Sequence, residues 1–240
     1  EKPETNGRHS NSMHLDILFE DNHLIAINKP PGAITQGDKT GDTAITEHVS
    51  QYLKTTYQKP GNVYLGLVHR LDRPASGILL MAKTSKAAER LSAMIQQRTI
   101  RKFYYAVTGT QPDPPAAKLT DYLAKNERQN KSYRVSEGSK GAKLAVLEYQ
   151  LKAASDHYFL LDIELMTGRH HQIRAQLSSI GCPIKGDLKY GAPRSNKDGS
   201  IHLHARALEF VHPVQKTDVI ITAPAPDEVV WNALVQKNSP

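Results

Sequence analysis

The chain has 240 residues, 39% of them hydrophobic and 23% charged, which suits one large domain or two small ones and a core that needs no staples. Cys182 is the only cysteine, which excludes an intramolecular disulfide and a four-cysteine zinc site; no apolar run approaches the ~20 residues that span a bilayer, and no signal-peptide pattern is present, so a reduced, cytoplasmic setting with no membrane partner is expected. Thirty-one Lys+Arg against 24 Asp+Glu leave +7, a balance that fits either a polyanionic partner or a basic, soluble surface.

Residues 1–12 are polar, with nothing to bury, and read as a disordered leader or a remnant ahead of Met13. Residues 13–240 then form one unit without repeats or a long linker. Two short strands are expected at 15–19 and 24–28 around a turn, the second ended by Lys29-Pro30-Pro31-Gly32 because proline cannot donate to a ladder. Residues 43–57 read as a helix, with Ile45, Val49 and Leu53 four apart. Residues 63–68 and 77–82 read as buried strands flanking a polar loop, His69 to Ser76. A helix follows at 85–98 with Ser85 as its N-cap, then a strand at 102–108. Pro112, Pro114 and Pro115 mark a loop, and a Lys/Arg-rich stretch fills 125–143. Strands at 143–152 and 157–166, a helix at 170–180 ended by Gly181, and strands at 201–211 and 217–222 complete the chain. The pattern is α+β: a mixed, mostly antiparallel sheet with flanking helices and loops.

Three segments carry candidate chemistry. In His69-Arg70-Leu71-Asp72-Arg73-Pro74-Ala75-Ser76-Gly77 one carboxylate stands between two arginines, which favour its ionised form. The bland alternative is a turn-shaping Asp in an ordinary ion pair. In Thr167-Gly168-Arg169-His170-His171-Gln172-Ile173-Arg174 a helix opens straight after a strand; its N-terminus suits phosphate, or the segment is a solvated cationic face. In Arg101-Lys102-Phe103-Tyr104-Tyr105, alternation puts Tyr104 and Lys102 on one sheet face and Phe103 and Tyr105 on the other. A tyrosine there can stack on a nucleobase or simply fill the core. His170-His171 and His202-Leu203-His204 lack zinc-site spacing, and neither a phosphate loop nor a dinucleotide fingerprint is present, so no metal or nucleotide cofactor is indicated.

Together these segments resemble the RluA family of pseudouridine synthases. The similarity runs over about residues 14–226 as an ordered set: Lys29-Pro30-x-Gly32, the loop around Asp72, Lys102-x-Tyr104, Gly168-Arg169-x-His171-Gln172-Ile173-Arg174, Gly181-x-Pro183, Gly186-Asp187-x-x-Tyr190-Gly191, Leu203-His204-Ala205 and His212-Pro213. Two departures are visible: Ala75 and His170 stand where the family more often has threonine. About a dozen residues precede the first strand, so the branch without an N-terminal S4-type domain is expected.

The resemblance implies isomerisation of uridine to pseudouridine in structured ribosomal or transfer RNA, without cofactor, by a single domain whose active-site cleft crosses the sheet; a monomer is the default expectation. It implies Asp72 as the essential carboxylate, Arg174 (with Arg169 as the alternative) as its partner, and Tyr104 as the residue stacking on a flipped uracil. Arg70 would help to extrude the uridine. Arg73, Lys29, Lys102, Arg169, His171 and Gln172 are the further candidates for contact with the RNA. The rival readings are a non-catalytic RNA-binding protein on the same fold and a metal-dependent hydrolase built on the histidines.

Overall fold

The computed structural model describes residues 13–235; the leader expected over 1–12 lies outside the described residues. The apolar runs become strands β1 (Ile17–Glu20), β2 (Leu24–Lys29), β3 (Gly66–Leu67), β4 (Ser76–Ala82) and β5 (Arg101–Thr108). They continue as β6 (Ala116–Asn126), β7 (Lys131–Val135), β8 (Lys143–Ala154), β9 (Phe159–Leu165), β10 (Leu203–Val211) and β11 (Asp218–Thr222). The helices are α1 (Ile45–Thr56), α2 (Ser85–Gln96), α3 (Gln172–Ser179) and α4 (Val229–Val235).

All eleven strands share one sheet, in the order β1-β2-β4-β10-β5-β9-β8-β6-β7, with β3 on β4 and β11 on β10. The fold is therefore the α+β arrangement expected, mixed and mostly antiparallel. The parallel step is β4 beside β10, where Ser76 faces His204 and Gly77 faces Ala205. That step joins two halves. On one side, β1–β4 are covered by α1 on one face and α2 on the other, so every residue of β4 is buried. Alternation sorts the contacts: Ile25, Ile27, Leu79 and Met81 meet Ile45, Val49 and Leu53 of α1, while Leu24, Ala26, Ile78 and Leu80 meet Ala87 and Leu91 of α2. On the other side, Ile173 and Leu177 of α3 pack on Ala106, Leu147, Leu161 and Ile163, and Trp231 and Leu234 of α4 pack on Val107 and Leu160 of the opposite face.

Several boundaries differ from the sequence reading. The expected strand at 63–68 shrinks to Gly66–Leu67: Gly66 already pairs with Ala82, the last residue of β4, so residues 63–65 run past its end, and beyond Leu67 the Leu80 N–H goes to the His69 ring. The cap of α2 is Thr84, not Ser85; its side chain accepts the Ala87 N–H at 3.2 Å. The basic stretch is largely a hairpin, β6–β7, whose charged outer face hid the alternation. Helix α3 begins at Gln172 rather than 170, since His171 takes the left-handed conformation (φ 52°) and forms the turn into it. Helix α4 was not anticipated.

Candidate active site

Asp72 lies in the loop between β3 and β4, and the backbone on both sides of it is pinned. Thr35 Oγ1 donates to the Leu71 carbonyl at 3.0 Å. The Arg73 carbonyl accepts the Gly32 N–H at 2.7 Å and Lys29 Nζ at 3.2 Å. His69 Nε2 accepts the Leu80 N–H at 2.8 Å, and burial pushes this imidazole down to about 4, so it stays a neutral acceptor. After the loop, Gly77 holds φ +118°, and a Cβ there would sit 2.4 Å from the Ala205 backbone N and O. Only glycine lets β4 and β10 meet. The Asp72 side chain remains 28% exposed.

The opposing wall comes from α3 and the turn after it. Arg174 is buried, donates Nε and Nη2 to Asp187 at 2.7 and 2.9 Å, and donates Nη1 to Asp72 Oδ2 at 3.2 Å. Nη1 also donates to His171 Nε2 at 3.2 Å. Guanidinium has no acceptor, so His171 Nε2 must be unprotonated and its Nδ1–H donates to the Tyr190 hydroxyl oxygen at 3.0 Å. Burial, then Arg174 and further cations, push His171 down to about 2. The same hydroxyl oxygen accepts the Ser132 N–H at 2.8 Å, which ties the β6–β7 hairpin to this wall. His170, stacked on His171 at 3.8 Å, adds Ser132 Oγ and Asn130 Oδ1 as partners at 2.8 and 3.0 Å.

Tyr104 projects from β5 on the α3 side, packed against the cluster that contains Ala75. Burial, with Asp72 adding to it, pushes its phenol well up, so the ring is neutral. Phe103 and Tyr105 take the other face, beside Arg206. Asp72, Tyr104 and Arg174 are thus brought together. Arg169 is not the partner of Asp72, because its Nε donates to the Leu144 carbonyl at 2.8 Å.

The remaining expected contacts divide. Arg70 is exposed and has no ion pair or hydrogen bond among the described residues. The Lys102 ammonium likewise has none; it lies beside Gly168, 3.1 Å from where a Cβ would be, and burial followed by Arg98 lowers its pKa. Lys29 corrects the reading of a phosphate contact: it is fully buried, and its ammonium also donates to the Pro30 and Ala33 carbonyls, both at 2.9 Å. Gln172 is buried too, receiving Thr167 Oγ1 and the Arg169 N–H and donating to the Val146 carbonyl and Gln176. Arg73 turns away from Asp72 to Asp42 at 2.6 Å, so the flanking arginines are not what holds the carboxylate. Asp187 and Tyr190 belong to the Gly186-Asp187-x-x-Tyr190-Gly191 pattern, which carries no role for them by itself, and nothing in the sequence points to Thr35.

The paired histidines are committed as well. His204 receives Ser76 Oγ at Nδ1 (2.8 Å) and donates to the Ala223 carbonyl (2.9 Å), while His202 bridges Asn196 and Glu228 at 3.0 and 2.8 Å. Among the described residues no group of three or more His, Cys, Asp or Glu is placed to hold a metal ion. Hollows of about 570 Å³ on α1 and about 480 Å³ beside Phe103 and Arg206 do not include Asp72.

A family described as RNA pseudouridylate synthase matches residues 23–179. The ribosomal large subunit pseudouridine synthase C of Buchnera aphidicola (subspecies Acyrthosiphon pisum) is 33% identical over 224 residues, covering 90% of this chain and 69% of the relative. The tRNA pseudouridine synthase C of Salmonella typhimurium is 32% identical over 244 residues, covering 92% and 89%. The solved structure of human RNA pseudouridylate synthase domain containing 4 superposes with a TM-score of 0.75 at 26% identity, covering 90% of each chain. The chain belongs to the RNA pseudouridylate synthase family and is an isomerase that converts uridine to pseudouridine in RNA.

Proposed function

We propose that Asp72 carries this isomerisation on a single uridine turned out of a loop in folded ribosomal or transfer RNA. The observation that supports it is the state of the carboxylate: Oδ2 is held by Arg174 at 3.2 Å, while Oδ1 faces His171 Nε2 at 3.8 Å, beyond hydrogen-bond distance. One oxygen is anchored and the other is available. The reaction breaks C1′–N1, turns the uracil and joins C1′ to C5; the proton leaves C5 and N1 gains one. Atoms are conserved, so no water is consumed and one carboxylate suffices, unlike the paired carboxylates of glycoside hydrolysis. Attack at C1′ and removal of the C2′ proton are both open to Asp72 Oδ1. The neutral Tyr104 ring offers a stacking face, worth about 1–3 kcal/mol per base. The side chains of Lys102 and Arg70, with no hydrogen bond or ion pair among the described residues, supply charge for the backbone and for extrusion. Extrusion costs a few kcal/mol, least where the base is already unpaired.

The test is tritium release from C5-labelled uridine in RNA lacking this modification, with ribosomal and transfer fractions separated. Wild type releases tritium from one fraction, and Asp72→Ala lowers the rate by about 10²-fold or more while still binding RNA. Equal release by both proteins would remove Asp72 from the reaction. Light scattering of the free protein at the 26.6 kDa of one chain tests the working assumption of a monomer.

A further inference from the structure

The β6–β7 hairpin is fastened to the wall beside Asp72 through its backbone and through its side chains. On the backbone, the Ser132 N–H donates to the Tyr190 hydroxyl oxygen, and Lys189 Nζ donates to the Gln129 and Asn130 carbonyls. On the side chains, His170 reaches two residues at once. Asn130 Oδ1 only accepts, so His170 Nε2 carries the proton and donates to it at 3.0 Å, while Nδ1 accepts the Ser132 hydroxyl at 2.8 Å. Burial, then Lys125, lowers the His170 pKa, which keeps the ring neutral in this tautomer. The ring stacks on His171 at 3.8 Å, 22° from parallel, and His171 Nε2 accepts from Arg174. One imidazole thus spans from the hairpin's turn to the partner of the carboxylate. The hairpin it holds is basic: between residues 125 and 134 stand Lys125, Arg128, Lys131 and Arg134, with Glu127 the single acid. Lys125, Arg128 and Arg134 are exposed. The ion pairs of Lys125 with Glu127 and of Arg134 with Asp121 lie at the surface, where such pairs are weak and give way to phosphate. Lys189 and Lys125 are among the cations that push His171 down, so this basic end lies alongside the cleft.

We propose that His170 is a positioning residue for RNA binding: by bridging Ser132 and Asn130 to the entrance of α3, it holds the basic β6–β7 hairpin against the cleft, where the hairpin's cations meet the phosphates of the strand flanking the target uridine. β7 is the last strand of the sheet and pairs only with β6, so the position of the turn depends on such ties. Without the imidazole the backbone ties remain and the fold persists, but the turn and its charges move. RNA must then order the hairpin as it binds, and that entropy is subtracted from affinity. The chemistry at C1′ is untouched, because Arg174 keeps its bond to Asp72. The inference rests on the reading that the uridine is held in the Asp72 cleft; it does not depend on which step Asp72 performs.

The probe is the unmodified RNA fraction, ribosomal or transfer, that the wild-type protein converts; its affinity is measured over a salt series beside the rate of tritium release. For His170→Ala the expected result is a KM and a Kd higher by about threefold to tenfold, with kcat at saturating RNA within about twofold of wild type. The slope of log Kd against log salt falls by about one, the signature of a lost phosphate contact. His170→Gln, which keeps an acceptor and a donor on one side chain, recovers most of the affinity and the slope. Unchanged affinity and slope beside a lowered urea midpoint would mean a role in folding alone and overturn the proposal, as would a lower kcat at unchanged KM. A second route does not need His170→Ala to fold. The double variant Asn130→Gly with Ser132→Ala removes the same two contacts from the hairpin side, glycine being suited to the φ of +46° at Asn130. It is expected to weaken binding as much as His170→Ala, and the two together no further, since they break one interaction; full RNA affinity in the double variant, or additive losses, overturn the proposal. Full turnover by Asp72→Ala would fell the reading of the cleft, whereas an inactive Asp72→Ala beside a His170→Ala of unchanged affinity and slope fells this inference alone.

Discussion

Lys29 shows how far a charge in a sequence is from a charge on a surface. Its ammonium is enclosed by the carbonyls of Pro30, Ala33 and Arg73, three acceptors for three protons. Burial pushes it down to about 7, with Asp72 opposing. Lys29→Met leaves the Pro30 and Ala33 carbonyls short of a donor and loosens the loop that carries Asp72. Since an unsatisfied buried polar group costs about 1–3 kcal/mol, urea denaturation should show a loss of about 2–4 kcal/mol, with activity falling alongside. Restoring charge on a nearby surface residue should recover neither, which separates this role from phosphate binding. Asp72 stands out in the sequence by its Pro- and Gly-bounded loop between apolar strands, but those residues alone fit a turn-shaping Asp as well, and only the ordered motifs of the resemblance favour a reacting carboxylate. Its partner Arg174 follows from the resemblance, with Arg169 as the alternative, and the structure decides between them: His171 takes the left-handed conformation at the start of α3, Arg174 pairs with Asp72, and Arg169 goes to the Leu144 carbonyl.

At the level of elements, the decisive contact is a backbone one. Gly77 lies where β4 passes β10, and any Cβ would collide with the Ala205 backbone. Gly77→Ala should therefore cost about 3 kcal/mol or more, above the usual overpacking penalty of about 1–3 kcal/mol, because neither strand can yield without moving the Asp72 loop; the urea midpoint and soluble yield check it. The cap of α2 is a milder case: Thr84→Ala should cost about 1 kcal/mol, and Ser85→Ala should cost much less, since the Ala87 N–H goes to Thr84. Helices α1 and α2 were legible because their apolar residues recur at helical spacing and find a sheet face each. The β6–β7 hairpin was not, because one of its faces is charged and part of its order comes from tertiary anchors. Ser132 and Asn130 grip Tyr190 and His170, and Lys189 donates to the Gln129 and Asn130 carbonyls at 3.3 and 3.1 Å.

For the whole molecule, the buried imidazoles set the response to acid. Burial holds His69 and His204 at about 4, and His171 lower still, against an ordinary 6.5. The unfolded chain binds these protons first, so folding stability is fully present above about pH 6.5 and is lost as pH falls towards 4. The urea midpoint should therefore fall between pH 7 and pH 4.5, and His204→Asn should flatten the slope. Fold class and reaction were legible at this scale because motifs spread over the chain keep their order; the strand order was not, because the parallel step joins residues far apart in sequence. Asp72 and Arg174 are 102 positions apart, and the strand that seats Gly77 begins only at Leu203. A chain still emerging from the ribosome has its carboxylate long before it has anything to aim it. On the proposed role of Asp72, a growing polypeptide is expected to be inert toward the RNA that surrounds it until β10 has been made.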